Sequence, residues 1–131
     1  MTATCRAACC SVAPRLSVSE LLERGLRRNR TAPLAIEGVP MTDADGNTAR
    51  FSLDITAGKI LGVSFRASSC ATLIAYCEFI AETMPGSRLD LAPALTSEDL
   101  VARVPGVPPL KRDRAVLAIA ALRAAIAEAS E

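Results

Sequence analysis

Hydrophobic residues recur with helical spacing near the start of the chain and give way to a broken apolar stretch. Leucines follow Ser17 to Glu20 at helical intervals, and those four residues have the spacing of a capping box. A first helix is therefore predicted from about Val18 to Arg28. The next segment, Pro33 to Met41, is mildly apolar but is interrupted by Gly38 and Pro40, so it could be an edge strand at most.

The middle of the chain alternates polar and apolar residues, which is typical of half-buried strands. Arg50 to Thr56 and Lys59 to Arg66 follow this pattern on either side of an Ala-Gly pair, so they predict an antiparallel hairpin. Asp43 to Asn47, just before it, is a turn by composition. This run lacks the closing Glu of a calcium loop, so a plain turn is favoured over a calcium site.

Helical spacing returns at Cys70 and continues until Pro85-Gly86 ends the run. A short helical segment follows from Thr96, and a last helix runs from Asp113 to the C-terminus. Between them, three prolines in Val104 to Lys111 predict an extended loop, either a recognition element or a connector. This order predicts an α+β fold, a two-layer sandwich with an antiparallel sheet of about three strands packed against helices. We expect one domain over residues 16–131 and a flexible tail over residues 1–15.

Composition narrows the possible functions. The 131 residues carry 15 Lys and Arg against 14 Asp and Glu, so a net charge of +1 gives no electrostatic case for binding nucleic acid. No apolar run approaches the roughly 20 residues that span a bilayer, so membrane insertion is not expected. The absence of histidine excludes Ser-His and Cys-His hydrolases. Neither a paired-carboxylate site nor a glycine-rich phosphate loop is evident, and an enzyme is not expected.

The chain has five cysteines, an odd number without regular spacing, which argues against a secreted disulfide framework. A reducing compartment is expected, namely the cytoplasm, with the mitochondrial matrix as the alternative because no acidic residue precedes Glu20. Cys5, Cys9 and Cys10 are interpreted as features of the tail, and metal binding by them is the alternative.

Cys70 stands where a predicted strand ends and a helix begins. Ser68 or Ser69 is expected to cap this helix, whose positive end favours a thiolate. Cys77 lies two helical turns further on, about 10 Å away, which is too far to share an ion with Cys70. Cys77 is therefore predicted to be a core residue, whereas Cys70 could be either a reactive thiol or a small residue buried at the corner.

The order of the elements and three short segments resemble the NifU/IscU-type iron-sulfur cluster assembly scaffolds. The segments are Phe65 to Cys70, Ser97 to Leu100 and Val107 to Lys111, and the likeness extends from about Leu16 to Ala129. Val107-Pro108-Pro109-Leu110-Lys111 is similar to the Leu-Pro-Pro-Val-Lys segment that the family's chaperone grips. The resemblance implies the family's fold and protein partners such as a chaperone or a cysteine desulfurase.

The resemblance also shows what this sequence lacks, because the family holds its cluster with three cysteines and a histidine. Aligned on neighbouring segments, the first ligand cysteine falls on Asp45, and the histidine and third cysteine fall on Asp113 and Arg114. Only Cys70 is retained. A guanidinium stays protonated and repels a cation, so we predict an Asp45–Arg114 ion pair where the family places its cluster. No stable cofactor is expected, and a transient or shared [2Fe-2S] cluster is the alternative.

Two functions remain open from the sequence. The first is a partner-binding factor in iron-sulfur protein biogenesis, in which Cys70 could accept sulfur or share a metal with another protein. The second is a non-catalytic accessory or structural subunit of a larger complex that kept the scaffold fold and lost metal binding. Both predict protein partners.

Overall fold

The computed structural model describes residues 17–130, so the predicted tail and its cysteines Cys5, Cys9 and Cys10 lie outside the described residues. Four α-helices and four strands are present in the described range, with two single-turn 3-10 segments. In chain order they are α1 Val18–Arg28, β1 Ile36–Glu37, β2 Met41–Thr42, β3 Thr48–Thr56, β4 Lys59–Ala67, α2 Ala71–Thr83, the 3-10 turn Ala92–Ala94, α3 Ser97–Arg103, the 3-10 turn Pro109–Lys111 and α4 Arg114–Ala129. Each helix within residues 17–130 falls short of the length or apolar character needed to cross a membrane.

Strand β3 is the centre of an antiparallel sheet. It pairs with β4 along one side and with the two short strands β1 and β2 in succession along the other. The segment predicted as an edge strand at most thus supplies two strands of two residues each, separated by Gly38 and Pro40. The sheet therefore has four strands instead of about three. Pro40 cannot donate a hydrogen bond to β3, so this segment pairs with β3 as two short strands instead of one.

Helices α2 and α4 pack on the same face of this sheet, and α1 packs on α2. The interior is apolar and includes the tilted Phe51–Phe65 pair, whose ring centroids are 5.9 Å apart on neighbouring strands. Burial of such aromatic and aliphatic side chains is the main stabilising term. The arrangement is an α+β fold with one layer of sheet and one of helices, which confirms the predicted fold class.

Helix α1 lies close to α2 because its sequence offers a small residue and two basic ones on the same face. A Cβ on Gly25 would lie 2.6 Å from Ile74 Cγ2, so only glycine allows this approach. Arg24 donates two hydrogen bonds to Glu82, and Arg28 donates two to the buried Glu78. The basic end of α1 is therefore partly engaged in fixing α2, the helix that starts at Cys70.

Three separate parts of the chain meet at one end of the sheet. The turn Asp43–Asn47 precedes β3, and Ala49 near the start of β3 pairs with Ala67 at the end of β4. The chain then enters α2 at Ala71, directly after Cys70. Helix α4 packs against β3 and β2 and begins at Arg114. The hairpin register thus brings the turn and the Cys70 corner to the start of α4.

Candidate functional site

The turn before β3 is held by the side chain of its first residue. Asp43 Oδ1 accepts hydrogen bonds from the backbone N–H groups of Asp45 (3.0 Å) and Asn47 (2.9 Å), and Oδ2 accepts from Asn47 Nδ2 (3.1 Å). Gly46 has a φ of 84°, in the left-handed region that favours glycine. This is the predicted turn, and it fixes the position of the Asp45 carboxylate.

Arg114 lies at the centre of a carboxylate cluster. Its side chain is only 8% exposed, and its Nη1 lies 3.0 Å from Asp113 Oδ1, 3.2 Å from Asp45 Oδ2 and 3.8 Å from Asp43 Oδ2. The predicted Asp45–Arg114 ion pair is present. A buried cation requires such partners, because an unpaired one would lose its hydration without compensation.

Asp43 is a member of this cluster that sequence reasoning missed. Its sequence context predicts only a turn residue, although the Asp-x-Asp spacing places two carboxylates on one tight turn. Burial acts to raise the pKa of Asp43, but hydrogen bonds from Asn47 and Asp45 and the charge of Arg114 outweigh it and hold the pKa below its ordinary value. Asp43 therefore joins the turn to Arg114 as an ionised group.

Cys70 is the fourth neighbour of Arg114. Interaction with the Cys70 side chain is the largest influence that raises the pKa of Arg114, ahead of the charges of Asp113 and Asp43, while burial acts in the opposite direction. Among the described residues, the Nε of Arg114 is buried without a hydrogen-bond partner. The Cys70 corner and the start of α4 therefore lie close enough for the thiol to act on the guanidinium.

The prediction that Ser68 or Ser69 caps α2 is wrong. Cys70 is itself the N-cap residue, with an extended backbone and no side-chain capping bond. Ser68 continues the hairpin pairing instead, where its Oγ accepts from the Thr48 N–H at 3.0 Å. Because the helix starts at Ala71, both serines lie before the cap position and cannot serve its first turn.

Cys77 is fully buried in the hydrophobic core, as predicted. Burial raises the pKa of its thiol well above the ordinary value. Cys77 is therefore inaccessible to solvent, whereas Cys70, at the start of the same helix, is only partly buried.

The donor set at this end of the molecule does not suit an iron-sulfur cluster. Such clusters are held mainly by thiolates, whereas here one thiol and three carboxylates surround a cation. Within residues 17–130, no group of three or more His, Cys, Asp or Glu side chains has the geometry of a metal site. What the arrangement provides is one buried guanidinium, paired with carboxylates of which two are largely exposed, beside a partly buried thiol.

The proline loop is more structured than the predicted extended segment. Pro108 is extended, but Pro109–Lys111 forms a 3-10 turn in which the Lys111 N–H donates to Pro108 O at 2.8 Å. Proline disrupts the interior of a helix but is compatible with its first position. Pro109 occupies that first position, so the turn can form where an extended segment was predicted. Val107 is buried and anchors the loop, while Leu110 is 91% exposed at its tip.

Comparison with known proteins identifies the family. The family model described as the NifU-like N terminal domain matches residues 23–130, so the chain belongs to that family, and the predicted resemblance to NifU/IscU-type scaffolds is confirmed. No curated protein sequence matches.

Solved structures share the fold at low sequence identity. A NifU-like protein (N-terminal) from Brucella abortus is 15% identical with a TM-score of 0.60, covering 84% of this chain and 91% of its own. A putative iron-sulfur cluster assembly scaffold protein for the SUF system from Fervidobacterium islandicum AW-1 is 14% identical with a TM-score of 0.56, covering 79% and 94%. A hypothetical protein is 19% identical with a TM-score of 0.58, covering 83% and 98%.

The lowered pKa of Asp43 predicts a pH-dependent contribution to stability. Its native pKa lies below the ordinary value of 3.8, so the stabilisation is complete above pH 3.8 and is lost as pH falls through the native value. We expect Asp43→Asn to lower the unfolding midpoint at pH 7, with the difference from the parent protein shrinking below pH 3.8. Denaturant unfolding across pH 2–7 tests this. Glu23→Gln, on an exposed side chain, is the control, and a difference for Asp43→Asn that persists at pH 2 would contradict the assignment.

Proposed function

We propose that this chain acts in iron-sulfur protein biogenesis as a partner-binding member of the scaffold family that holds no stable cluster of its own. The observation that carries the proposal is the position of Arg114, whose buried guanidinium lies among Asp45, Asp113 and Cys70. These are the positions that align with the ligands of the family's cluster. The cluster is cargo for this family, and here its place is taken by an internal cation.

Charge supports this interpretation. Arg114 places one fixed positive charge among three carboxylates, so a guanidinium already occupies the position that a metal cation would take. A cluster bound at the same place would put iron next to a permanently protonated guanidinium. Arg114 would have to leave, and its three partners would then lose the cation that pairs them. A mononuclear or shared metal at Cys70 alone lacks the ligands for stable binding.

Cys70 is the group through which the chain could still take part in the chemistry. It is partly exposed, and its thiol has no structural bond to the helix that it precedes. We propose that the Cys70 thiolate takes the outer sulfur of a persulfide on a donor protein as the donor's cysteine thiolate leaves, or that Cys70 supplies one ligand to a transient [2Fe-2S] cluster shared with a partner. No step of this role needs a catalytic residue in this chain.

The tip of the proline loop supports a role in binding partners. Leu110 is almost fully exposed, and Val116, six residues later on the first turns of α4, is also exposed. Because Val107 is buried, the loop presents Leu110 from an anchored base. An exposed apolar side chain on a fixed turn is a suitable anchor for a partner's pocket. We propose that a chaperone is that partner, with a cysteine desulfurase as a second one, and that they meet in the cytoplasm.

Anaerobic reconstitution with iron and sulfide tests the loss of the cluster. All proteins carry Cys5→Ser, Cys9→Ser and Cys10→Ser, because thiols of that segment could bind iron independently. We expect no stoichiometric [2Fe-2S] absorption in this parent protein. Restoring two thiols with Asp45→Cys/Arg114→Cys should produce it, since three cysteines then face one another, and adding Cys70→Ser should remove it.

The matched control is Asp54→Cys/Arg123→Cys, which makes the same change of charge and thiol number away from the site. Asp54 lies on β3 and Arg123 on α4, where it donates to Pro93 O and Leu95 O. This control should remain without a cluster. A stable cluster in the parent protein that depends on Cys70 would overturn the proposal.

The role of the loop predicts a second result. We expect Leu110→Ser to weaken binding to the family's chaperone about tenfold, since truncation of a central apolar anchor typically costs over 1 kcal/mol. The fold should be unchanged because this side chain makes little contact with the rest of the protein. Fluorescence anisotropy with the purified chaperone measures the affinity, and Leu91→Ser, at a 61% exposed leucine, is the control. Equal binding by Leu110→Ser and Leu91→Ser would contradict the role of the loop, and no binding by the parent protein would favour an accessory subunit.

A further inference from the structure

The outer face of the sheet carries two arginines directly opposite each other. Helices α2 and α4 pack on the inner face, and Arg50 on β3 is in register with Arg66 on β4. Both arginines alternate with buried phenylalanines, Phe51 and Phe65, so they lie on the face away from the core. Like charges at such positions destabilise a sheet, because the Cβ atoms of opposite residues are only about 5 Å apart. The stability of the fold therefore does not account for this pair.

The carboxylates of the chain neutralise this pair only in part. Arg50 Nη2 lies 3.3 Å from Glu37 Oε1, in an ion pair whose side chains are 42% and 35% exposed. Arg66 donates to the carbonyl oxygen of Thr31 at 3.0 Å and forms no ion pair within the described part of the chain. The acidic residue of β3 itself, Asp54, is four residues from Arg50, roughly 13 Å along the strand. Two adjacent guanidiniums thus share one exposed carboxylate.

Two clefts flank the pair, and both arginines line each of them. The first has a volume of about 240 Å³ and reaches Glu37 and Ser52. The second has a volume of about 360 Å³ and reaches Thr48 and Ser68, where the hairpin ends. The outer face of the sheet is therefore open on both sides of the guanidiniums, and each cleft is large enough to admit a side chain from another molecule.

We propose that Arg50 and Arg66 form a docking site for an acidic segment of a partner protein, whose Asp or Glu carboxylates bind between the two guanidiniums. A guanidinium can bind a carboxylate through two parallel N–H···O bonds, and these charge-assisted bonds are among the stronger ones in proteins. The bound carboxylate also removes the repulsion between the arginines. The feature that costs the free protein stability is thereby used in the complex.

The charge around the pair favours a protein segment over a nucleic acid. Nucleic-acid binding draws most of its affinity from neutralising many phosphates, whereas here two arginines lie beside Glu37 on a chain of net charge +1. Residues 1–16 contain no Asp or Glu, so that segment of this chain cannot supply the carboxylates. A carboxylate from another protein is the matching occupant.

Fluorescence anisotropy with a labelled octapeptide of alternating Glu and Thr tests the site in the full chain at low salt. We expect saturable binding that Arg66→Gln weakens at least about fivefold, because one guanidinium–carboxylate contact is lost. Glu37→Gln should strengthen binding about threefold, since Arg50 is released from its internal partner. The matched control is Arg103→Gln, the same change of charge at an exposed residue of α3, and it should bind like the parent protein.

NMR of protein labelled with 15N-arginine locates the bound peptide. The Nε–H signals of Arg50 and Arg66 should shift as the octapeptide is added, whereas that of Arg103 should not. The same peptide with Gln in place of every Glu should leave all three signals unchanged, because the recognised group is the carboxylate.

Several outcomes would overturn the proposal. They are an absence of binding, equal binding by Arg66→Gln and Arg103→Gln, binding by Glu37→Gln that is not tighter than that of the parent protein, and unshifted signals of Arg50 and Arg66. Retention of the Gln peptide, or tighter binding of an octamer of thymidylate than of the acidic peptide, would also overturn it. The test needs neither iron nor Cys70, so its failure would leave the proposed function in iron-sulfur biogenesis untouched.

Discussion

The contact between one buried guanidinium and three carboxylates determines what this end of the molecule can do. Arg114 connects the turn before β3, the start of α4 and the Cys70 corner, three segments that are distant in sequence. Because Arg114 is buried, its charge needs partners, and two of them, Asp43 and Asp45, are positioned by the turn bonds that Asp43 accepts. We propose that this guanidinium stands where other members of the family hold their cluster.

Much of this could be predicted from the sequence because the relevant signals are local. The alternation in Arg50 to Thr56 and the helical spacing after Cys70 reflect burial on one face, so they located the hairpin and α2. The Asp45–Arg114 pair followed from aligned ligand positions and from the fact that the two side chains carry opposite charges. The order of the predicted helices and strands, which matches that of the family, then indicated the family.

The features that were missed depend on contacts between distant residues. Ser68 has the chemistry of a helix cap, but pairing with Thr48 extends the hairpin past it and moves the start of α2 to Ala71. Asp43 looks like an ordinary turn residue until α4 brings Arg114 within 3.8 Å of it. The unpartnered Nε of Arg114 has no signature in the sequence, since it results from how the guanidinium is oriented among its neighbours.

The most direct test of the account is the response of the Arg114 side chain to iron. In protein lacking Cys5, Cys9 and Cys10, labelled with 15N-arginine, the guanidinium signals of Arg114 can be followed by NMR during an anaerobic titration with ferrous iron. The account predicts that these signals stay unchanged throughout the titration, including after more than one equivalent of iron has been added. The reason is that the guanidinium keeps its carboxylate partners and excludes the metal. Disappearance or displacement of the Arg114 signals at one equivalent of iron would contradict it.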